Sequence, residues 1–223
     1  MSIRIEIDAP GFRVIEKILS AVGEESRLVG GCVRDHLIGL DPKDLDIATT
    51  ALPGKVVDIF TAAGFKVIPT GLQHGTVTVV HEGEPYEITT LRTDVETDGR
   101  HAKVAYVRDW RKDAERRDFT FNAMSVSADG SLHDYFGGYD DLMAGCVRFV
   151  GDADRRITED YLRILRFFRF RARFGSGNDD DALDAIARHA PGLENISVER
   201  VWMEMGRIIS HPEGYSQILM MDE

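Results

Sequence analysis

The spacing of apolar residues changes near residue 150, and this change constrains the fold more than any other feature of the sequence. Before it, short runs typical of strands are mixed with helical segments, whereas the later periodic segments have helical spacing. The later segments are TEDYLRILRFFRFRARF, DDALDAIARHA and SVERVWMEMGRIIS, with Thr158 and Ser197 as candidate N-caps. The sequence therefore predicts a mixed α/β part followed by an all-helical part.

The first part is expected to mix short helices and strands. The polar segment VETDGRHAKVAYV, which contains Gly99, is expected to form a mobile loop. The other predicted elements are a helix over residues 10–22, a strand up to Val29, a helix from about Val33 to Leu40, a strand through DPKDLDIATT, a helix and strand in GKVVDIFTAAGFKVIPT, two strands around the turn HEGEP, a helix in RRDFTFNAMSV and a hairpin in SADGSLHDYF.

Composition limits the classes of protein to consider. The chain has 223 residues, 43% of them hydrophobic, which suits one large domain or two small ones, and it has no apolar run long enough to span a membrane. Its start lacks the layout of a signal peptide. Cys32 and Cys146 lack metal-ligand spacing and fit a reduced cytoplasmic protein, although one disulfide is also compatible with them. We therefore expect a cytoplasmic protein without membrane contact.

Charge is distributed unevenly along the chain. The formal net charge of −11 argues against broad, non-specific binding of nucleic acids. Residues 155–173, however, contain seven arginines and only two acidic residues, Glu159 and Asp160. The sequence therefore predicts a local basic surface on an otherwise acidic protein.

Two aspartates lie one residue apart in the segment DPKDLDIATT. In a strand, Asp44 and Asp46 would point to one face, with Leu45 and Ile47 on the other. Two carboxylates that close repel each other unless a cation lies between them, and oxygen donors of this kind suit Mg²⁺. The alternative is the solvated edge of an ordinary strand. A third carboxylate, Glu87 in YEITTL, is a candidate for the same site or an exposed strand residue.

A double glycine precedes these aspartates. Gly30 and Gly31 follow a predicted strand and lead into a helix, so the backbone can approach an anion closely there. Arg34, in the first turn of that helix, can donate charge-assisted hydrogen bonds to phosphate. A tight turn without any ligand is the alternative. Followed by paired aspartates, the arrangement favours a triphosphate site beside metal ions, as phosphoryl transfer requires.

Five segments in order resemble one family. The chain is similar, over residues 27–209, to the class II tRNA nucleotidyltransferases and bacterial poly(A) polymerases, which belong to the polymerase β-like nucleotidyltransferase superfamily. The segments are LVGGCVRDHLIGLDPKDLDIATT, which resembles the first signature, RRDFTFNAM the ribose motif, DYFGGYDDL the hinge motif, EDYLRILR the base-selecting motif, and ERVWMEM the E-R-x-x-x-E helix.

The resemblance implies a fold and a division into domains. An α+β fold is expected, with a polymerase β-like head in which helices pack on a mixed sheet, followed by an all-helical neck. The head would comprise residues 1–148 and the neck residues 149–223. In the family, further helical body and tail domains follow, and these are expected to be absent from this chain.

The resemblance also implies roles for individual residues. Asp44 and Asp46, with Glu87 as a third catalytic carboxylate, would hold Mg²⁺, with Mn²⁺ as the alternative ion. The other implied ligands are Gly30, Gly31, Arg34 and Arg166 for the triphosphate, and Arg117, Asp118 and Asn122 for the ribose. Asp118 has an alternative role, which is to pair with an arginine and hold a helix in place.

Base selection is the last role that the resemblance implies. Asp160 and Arg163 are three residues apart, and on one helix they would share a face. Together they would read the Watson–Crick edge of cytosine or adenine in place of a template. An ordinary ion pair within the helix is the alternative. Arg166 and Arg169 continue that face, and either would contact phosphate or form an ion pair between domains.

The implied activity is template-independent addition of C and A from CTP and ATP to the 3′ end of tRNA. Residues 95–104 resemble the flexible loop of CCA-adding enzymes, which helps the change from C to A addition, and we expect this loop to be less ordered than its flanks. A poly(A) polymerase and separate CC-adding or A-adding enzymes are alternatives within the family. An inactive module that binds nucleotides or RNA is an alternative of another class.

Overall fold

The computed structural model describes residues 3–42, 44–97, 102–175, 177 and 179–222. Within these ranges, none of the helices is both long and apolar enough to cross a bilayer. The helices are α1 (Pro10–Ser20), α2 (Gly31–Leu37), α3 (Pro53–Ala62), α4 (Trp110–Glu115), α5 (Gly138–Met143), α6 (Ala153–Glu159), α7 (Leu162–Phe174), α8 (Asp180–His189), α9 (Val198–Ile209) and α10 (Gly214–Met221). The strands are β1 (Ser26–Val29), β2 (Asp46–Thr49), β3 (Lys66–Gly71), β4 (Thr76–His81), β5 (Glu84–Thr90), β6 (Arg92–Thr97), β7 (Ala102–Tyr106), β8 (Ser125–Val126) and β9 (Leu132–His133).

Seven strands form one mixed sheet in the order β3-β4-β5-β2-β1-β8-β9. β2 and β5 run parallel, while the neighbouring pair of β1 and β2 is antiparallel. β2 is therefore central, and after its first residue it is buried, with Ile47 and Ala48 1% and 2% exposed. This arrangement leaves the exposed Asp46 at the beginning of a strand that is otherwise enclosed.

The chain clusters into two compact units. The first comprises residues 1–95, 104–116 and 122–135, and it contains the seven-stranded sheet with α1 to α4. The second comprises residues 96–103, 117–121 and 136–223, and it contains α5 to α10. The two units alternate along the chain, so neither is one continuous segment. The domain boundary between residues 148 and 149 remains a prediction.

Phenylalanine rings form the core of the second unit. Phe119 lies 4.9 Å from Phe149 and 5.4 Å from Phe170, measured between ring centroids. Phe167, on the same helix as Phe170, lies 6.0 Å from Phe149. Aromatic pairs at these separations add to the stabilisation that burial of their area provides. The helical spacing of apolar residues in α7 is thus explained by this cluster.

The helix predicted in RRDFTFNAMSV is wrong. The segment instead forms a short 3₁₀ turn at Thr120–Asn122 and then β8. Before that turn, the amide of Thr120 donates to the carbonyl of Arg148 over 3.0 Å, and Phe119 bridges Phe149 as in a sheet. These long-range contacts bury Phe119 and Phe121 completely, and so they override the local preference for helix.

The single long helix predicted from Thr158 is also wrong, because α6 and α7 meet at Asp160. Asp160 has φ −158° and ψ 103°, an extended conformation that ends α6. Asp152 caps α6 by accepting from the amide of Arg155 at 2.7 Å, whereas Thr158 lies inside the helix. Ser197 does precede α9, but its side chain makes no capping hydrogen bond. α10 lies in a segment for which the sequence predicted no element.

The segment predicted as a mobile loop around Gly99 is largely a ribbon. β6 and β7 pair with each other in a two-stranded sheet. The predicted loop is therefore wrong for the strand residues on either side of its centre. Gly99 and its neighbours, residues 98–101, lie outside the described residues, so the expected lower order of the loop stays a prediction.

Candidate active site

Two carboxylates of the first unit lie side by side on neighbouring strands. Asp46 of β2 is the parallel register partner of Glu87 of β5, and Glu87 is the antiparallel partner of Thr78 of β4. Register partners point to the same face of a sheet, so these three side chains form a row. The row borders a cavity of about 480 Å³, whose lining also includes Asp44 and Glu84.

Asp44 reaches this cavity from outside the strand. The structure places it in a bend, and β2 begins only at Asp46. The prediction that both aspartates share one strand face is therefore wrong, although both are exposed and line the same cavity. The strand begins at Asp46 because pairing with β5 begins there, and pairing with β1 begins at Ile47.

The donors around the cavity fit a divalent cation that also binds phosphate. Among the described residues, no group of three acidic, histidine or cysteine side chains converges closely enough to hold a metal ion without other ligands. Mg²⁺ does not require such a group, since it usually takes one or two carboxylates together with water and substrate phosphates. Asp44 and Asp46, beside Glu87, supply that kind of incomplete oxygen site.

The two glycines lie in a turn, and its backbone conformation calls for glycine at one of the two positions. Gly30 has φ 71° and ψ −124°, a conformation that side chains rarely allow, and its amide donates to the carbonyl of Met124 at 3.2 Å. A Cβ atom on Gly31 would meet Nη2 of Arg34 at 3.6 Å, an ordinary contact. α2 begins at Gly31, earlier than the predicted start near Val33.

Replacing Gly30 with alanine is expected to destabilise the protein by about 1–3 kcal/mol, because the backbone conformation here is one that only glycine adopts readily. Gly31→Ala is the matched control and should change stability little, since its Cβ has room. The free energies of unfolding of both variants in urea test this expectation. Equal losses in the two variants would contradict the strain assigned to Gly30.

Arg34 is buried in the first unit rather than extended into solvent, with 6% of its surface exposed. Its Nε donates to Oδ1 of Asp35 at 2.8 Å, and its Nη1 donates to Oδ1 of Asn122 at 2.5 Å. Arg34, which was predicted to bind the triphosphate, and Asn122, which was predicted to bind the ribose, are thus hydrogen-bonded to each other.

Asp118 and Arg166 form a partly buried ion pair in the second unit. Nε of Arg166 donates to Oδ2 of Asp118 at 2.8 Å, and Nη2 of the same guanidinium contacts the same oxygen. Oδ1 of Asp118 accepts from the amide of Phe119 at 2.8 Å. Burial lowers the pKa of Arg166, but the charge and hydrogen bonding of Asp118, together with the charges of Glu204 and Asp160, raise it overall. Asp118 therefore pairs with an arginine, as its alternative role predicts. Arg117, the residue before it, is half-buried.

Asp160 and Arg163 each have another partner in the second unit. Asp160 accepts from Nη2 of Arg200 in α9 at 2.8 Å and from the amide of Leu162 at 3.2 Å. Nη1 of Arg163 donates to Oε2 of Glu159 at 2.7 Å. The expectation that they share a face of one helix is wrong, because Asp160 lies between α6 and α7. Both side chains are nevertheless held in fixed positions by these partners.

The predicted basic surface over residues 155–173 is wrong for most of its arginines. Arg155 and Arg173 are exposed, whereas the others are at least half-buried. Arg156 pairs with Glu159 at 2.9 Å, and Arg169 lies 3.0 Å from the buried Glu204 of α9. Burial lowers the pKa of Arg169 to about 10 against the attraction of Glu204. These two arginines therefore neutralise acids inside the helical unit, and the ion pair of Arg169 lies within that unit, whereas the expected ion pair was one between domains.

Sequence reasoning missed several polar partners of the predicted residues. Thr78 could have been predicted from the sequence, because polar and apolar residues alternate at the start of TVTVVH and place Thr78 on the same strand face as Thr76. Asp35, Glu159 and Arg200 carry no such signal, since their importance depends on which residue they contact.

Comparison with known proteins supports the resemblance. The family described as "Poly A polymerase head domain" matches residues 26–148, and "Probable RNA and SrmB-binding site of polymerase A" matches residues 179–223. The human "CCA tRNA nucleotidyltransferase 1, mitochondrial" is 49% identical over 203 residues, which cover 89% of this chain and 47% of the human protein. The chain belongs to the family of CCA-adding enzymes and poly(A) polymerases.

Other members of the family agree in sequence and in structure. The CCA-adding enzyme of Geobacillus thermodenitrificans is 45% identical over 196 residues, or 87% of this chain and 48% of the relative. The crystal structure of the Bacillus stearothermophilus CCA-adding enzyme in complex with CTP matches with a TM-score of 0.84 and 39% identity, covering 95% of this chain and 52% of that one. The predicted fold, a polymerase β-like head followed by a helical region, is confirmed. The chain spans about half the length of the curated relatives that it matches.

Proposed function

We propose that this protein adds C and A nucleotides to the 3′ end of tRNA without a nucleic-acid template. The 3′ oxygen of the RNA would form a bond to the α-phosphorus of CTP or ATP, and the bond from that phosphorus to pyrophosphate would break. The observation that supports this proposal is the row of Asp46 and Glu87 in parallel register beside Asp44, in a chain of this family. The residue roles described below are parts of the same proposal.

Asp44 and Asp46 are the residues proposed to hold Mg²⁺, with Mn²⁺ as the alternative ion. The bound ion would supply positive charge to the phosphates and lower the pKa of the attacking hydroxyl. Asp46 is fixed at the beginning of an enclosed strand, so its carboxylate needs little rearrangement to bind. Glu87, its register partner, adds a third negative charge and helps to orient the ion or the hydroxyl.

The glycine turn and Arg34 are proposed to bind the triphosphate. Gly30 and Gly31 would let the backbone approach an anion closely, although the amide of Gly30 itself donates to Met124, and Arg34 would contribute positive charge beside them. In the second unit, Arg166 is proposed for the triphosphate, and Arg117 and Asp118 for the ribose. Since Arg166 donates to Asp118 in the structure, the two act as one polar group, in which the acid orients the arginine.

Asp160 and Arg163 are proposed to select the base. Arginine donors satisfy the ring acceptors of cytosine or adenine, and the carboxylate accepts from the amino group that both bases carry. Guanine and uracil place a carbonyl oxygen there instead, which leaves two acceptors facing each other. Arg200 and Glu159 restrict the rotamers of the two side chains, which would lower the entropy lost when they bind a base.

Replacing both Asp160 and Arg163 with alanine is expected to reduce discrimination against UTP and GTP by about one to two decades, since an unmatched buried acceptor costs roughly 1–3 kcal/mol. The rates at which the four nucleotides are incorporated into a tRNA lacking its CCA end measure this discrimination, as the ratio of C and A addition to U and G addition. Arg188→Ala with Asp154→Ala, at an exposed pair of the same unit, is the matched control. Unchanged C and A preference in the site variant would leave Asp160 and Arg163 with a structural role alone.

A poly(A) polymerase is the second candidate, because the family descriptions that match both parts of the chain name that enzyme. Separate CC-adding or A-adding enzymes would be distinguished from both candidates by the same measurement, the sequence added to the tRNA. Products ending in C-C-A support the first proposal, a long run of A supports the second, and products that stop at C-C or add one A identify the others.

An inactive module that binds nucleotides or RNA is the candidate of another class. Protection against heat unfolding separates an enzyme from a module that binds only RNA, because CTP and ATP should raise the melting temperature of the enzyme in a manner that depends on Mg²⁺. A module that binds only RNA should show no such protection.

We propose the cytoplasm as the compartment. Cys32 and Cys146 are both free and buried, in agreement with a reducing environment. Burial raises the pKa of Cys32 to about 11, so its thiol is unreactive near neutral pH. The human relative carries "mitochondrial" in its name, which gives the compartment of that protein and leaves this one to be measured.

A further inference from the structure

The Arg34 guanidinium is held on two sides within the first unit. Both Nε and Nη2 lie 2.8 Å from Oδ1 of Asp35, and Nη1 lies 2.5 Å from Oδ1 of Asn122. Arg34 and Asn122 are 6% and 7% exposed, so water competes little for their contact. Asp35 is the acidic partner of the arginine, while the uncharged amide of Asn122 holds its other side.

The backbone explains why Asn122 reaches Arg34 across 88 positions of sequence. Asn122 ends the 3₁₀ turn that precedes β8, and β8 pairs with β1 through Val29 and Ser125. The carbonyl of Met124 accepts from the amide of Gly30. The segment that carries Asn122 is therefore attached to the same glycine turn from which α2 and Arg34 begin.

We propose that Asn122 is a positioning residue for Arg34 at the triphosphate end of the nucleotide, and is not a ligand of the ribose. The proposal rests on the proposed function, since it concerns how this site holds CTP and ATP. Oδ1 of Asn122 already accepts a short, charge-assisted hydrogen bond, and such bonds are stronger than those between neutral groups. A sugar hydroxyl that bound this oxygen would have to share it with a buried guanidinium.

The proposal predicts a pattern across three ligands. Asn122→Ala should raise the KM for CTP and for dCTP by the same factor, about tenfold for the loss of one hydrogen bond to a charged group. The preference for CTP over dCTP should then stay at its wild-type value. Binding of CMP, which carries the ribose without the triphosphate, should be nearly unchanged.

Two further variants separate positioning from a general loss of structure. Asn122→Asp keeps an acceptor oxygen of the same reach, so it should retain more CTP affinity than Asn122→Ala. Adding Asn122→Ala to Arg34→Ala should weaken CTP binding no further, because the two residues act as one. Should Asn122→Ala fail to fold, Asn122→Asp compared with wild type on the same three ligands carries the test.

A fall in the preference for CTP over dCTP, or a loss of CMP binding, would overturn the proposal and return Asn122 to the ribose. Additive losses in the double variant would overturn it as well. A wild-type protein that neither binds nor incorporates CTP would instead contradict the proposed function itself, so the two failures are distinguishable.

Discussion

Replacement of Asp46 with alanine is expected to reduce nucleotide transfer by about 10³-fold or more, since a lost metal ligand removes several kcal/mol of transition-state stabilisation. Asp44→Ala should have an effect of similar size, and Glu87→Ala a smaller one. The melting temperature should not fall in the Asp46 variant. Asp46 is exposed and lies beside Glu87, so without an ion the two carboxylates repel each other.

The measurement is the rate of nucleotide addition under single-turnover conditions, together with the melting temperature. Glu84→Ala is the matched control, because Glu84 lines the same cavity but lies at the beginning of β5, outside the row. It should keep most of the wild-type rate. A near-normal rate in the Asp46 variant, or an equal loss in the Glu84 control, would show that Asp46 holds no catalytic ion.

Arg166→Ala is expected to lower the free energy of unfolding by about 3–5 kcal/mol, because it removes the guanidinium that is paired with the buried carboxylate of Asp118. For a protein of this size the loss corresponds to a fall in melting temperature of roughly 6–20 °C. If the pair also binds substrate, activity falls together with stability. The two effects are separated by assaying well below the melting temperature.

An exposed pair in the same unit provides the control for Arg166. Arg188 and Asp154 are also an arginine and an aspartate, 2.8 Å apart, but their side chains are 55% and 44% exposed. Arg188→Ala should lower the free energy of unfolding far less than Arg166→Ala, because exposed ion pairs contribute little to stability. Equal destabilisation by the two substitutions, measured by urea unfolding, would contradict the role assigned to burial.

Elements with a complete local signal could be predicted from the sequence. α1 has helical spacing, a proline at its start and a glycine after its end, and it forms over Pro10–Ser20. β4 and β5 flank HEGEP as expected, with Glu82 at φ 52° in the turn. The alternation of side chains along a strand also predicted that Asp46 and Ile47 point to opposite faces. In the structure Asp46 is exposed and Ile47 is buried.

The parts that failed depend on contacts between residues far apart in sequence. Phe119 and Phe121 were expected in one helix, but Phe119 forms a bridge to Phe149, and Phe121 lies in a short 3₁₀ turn. Asp160 interrupts a run of helical spacing, and its carboxylate pairs with Arg200 of α9. No local pattern contains these partners, so the sequence predicted the identity of the polar residues better than the geometry around them.

Extension of a tRNA that lacks its 3′ CCA end tests the central claim most directly. The protein is incubated with this tRNA, Mg²⁺ and each nucleotide in turn, then with CTP and ATP together, and the product ends are sequenced. We expect C from CTP alone, completion to C-C-A when ATP is added, and little use of UTP or GTP. No extension by the wild-type protein, or a long run of A without C, would contradict it.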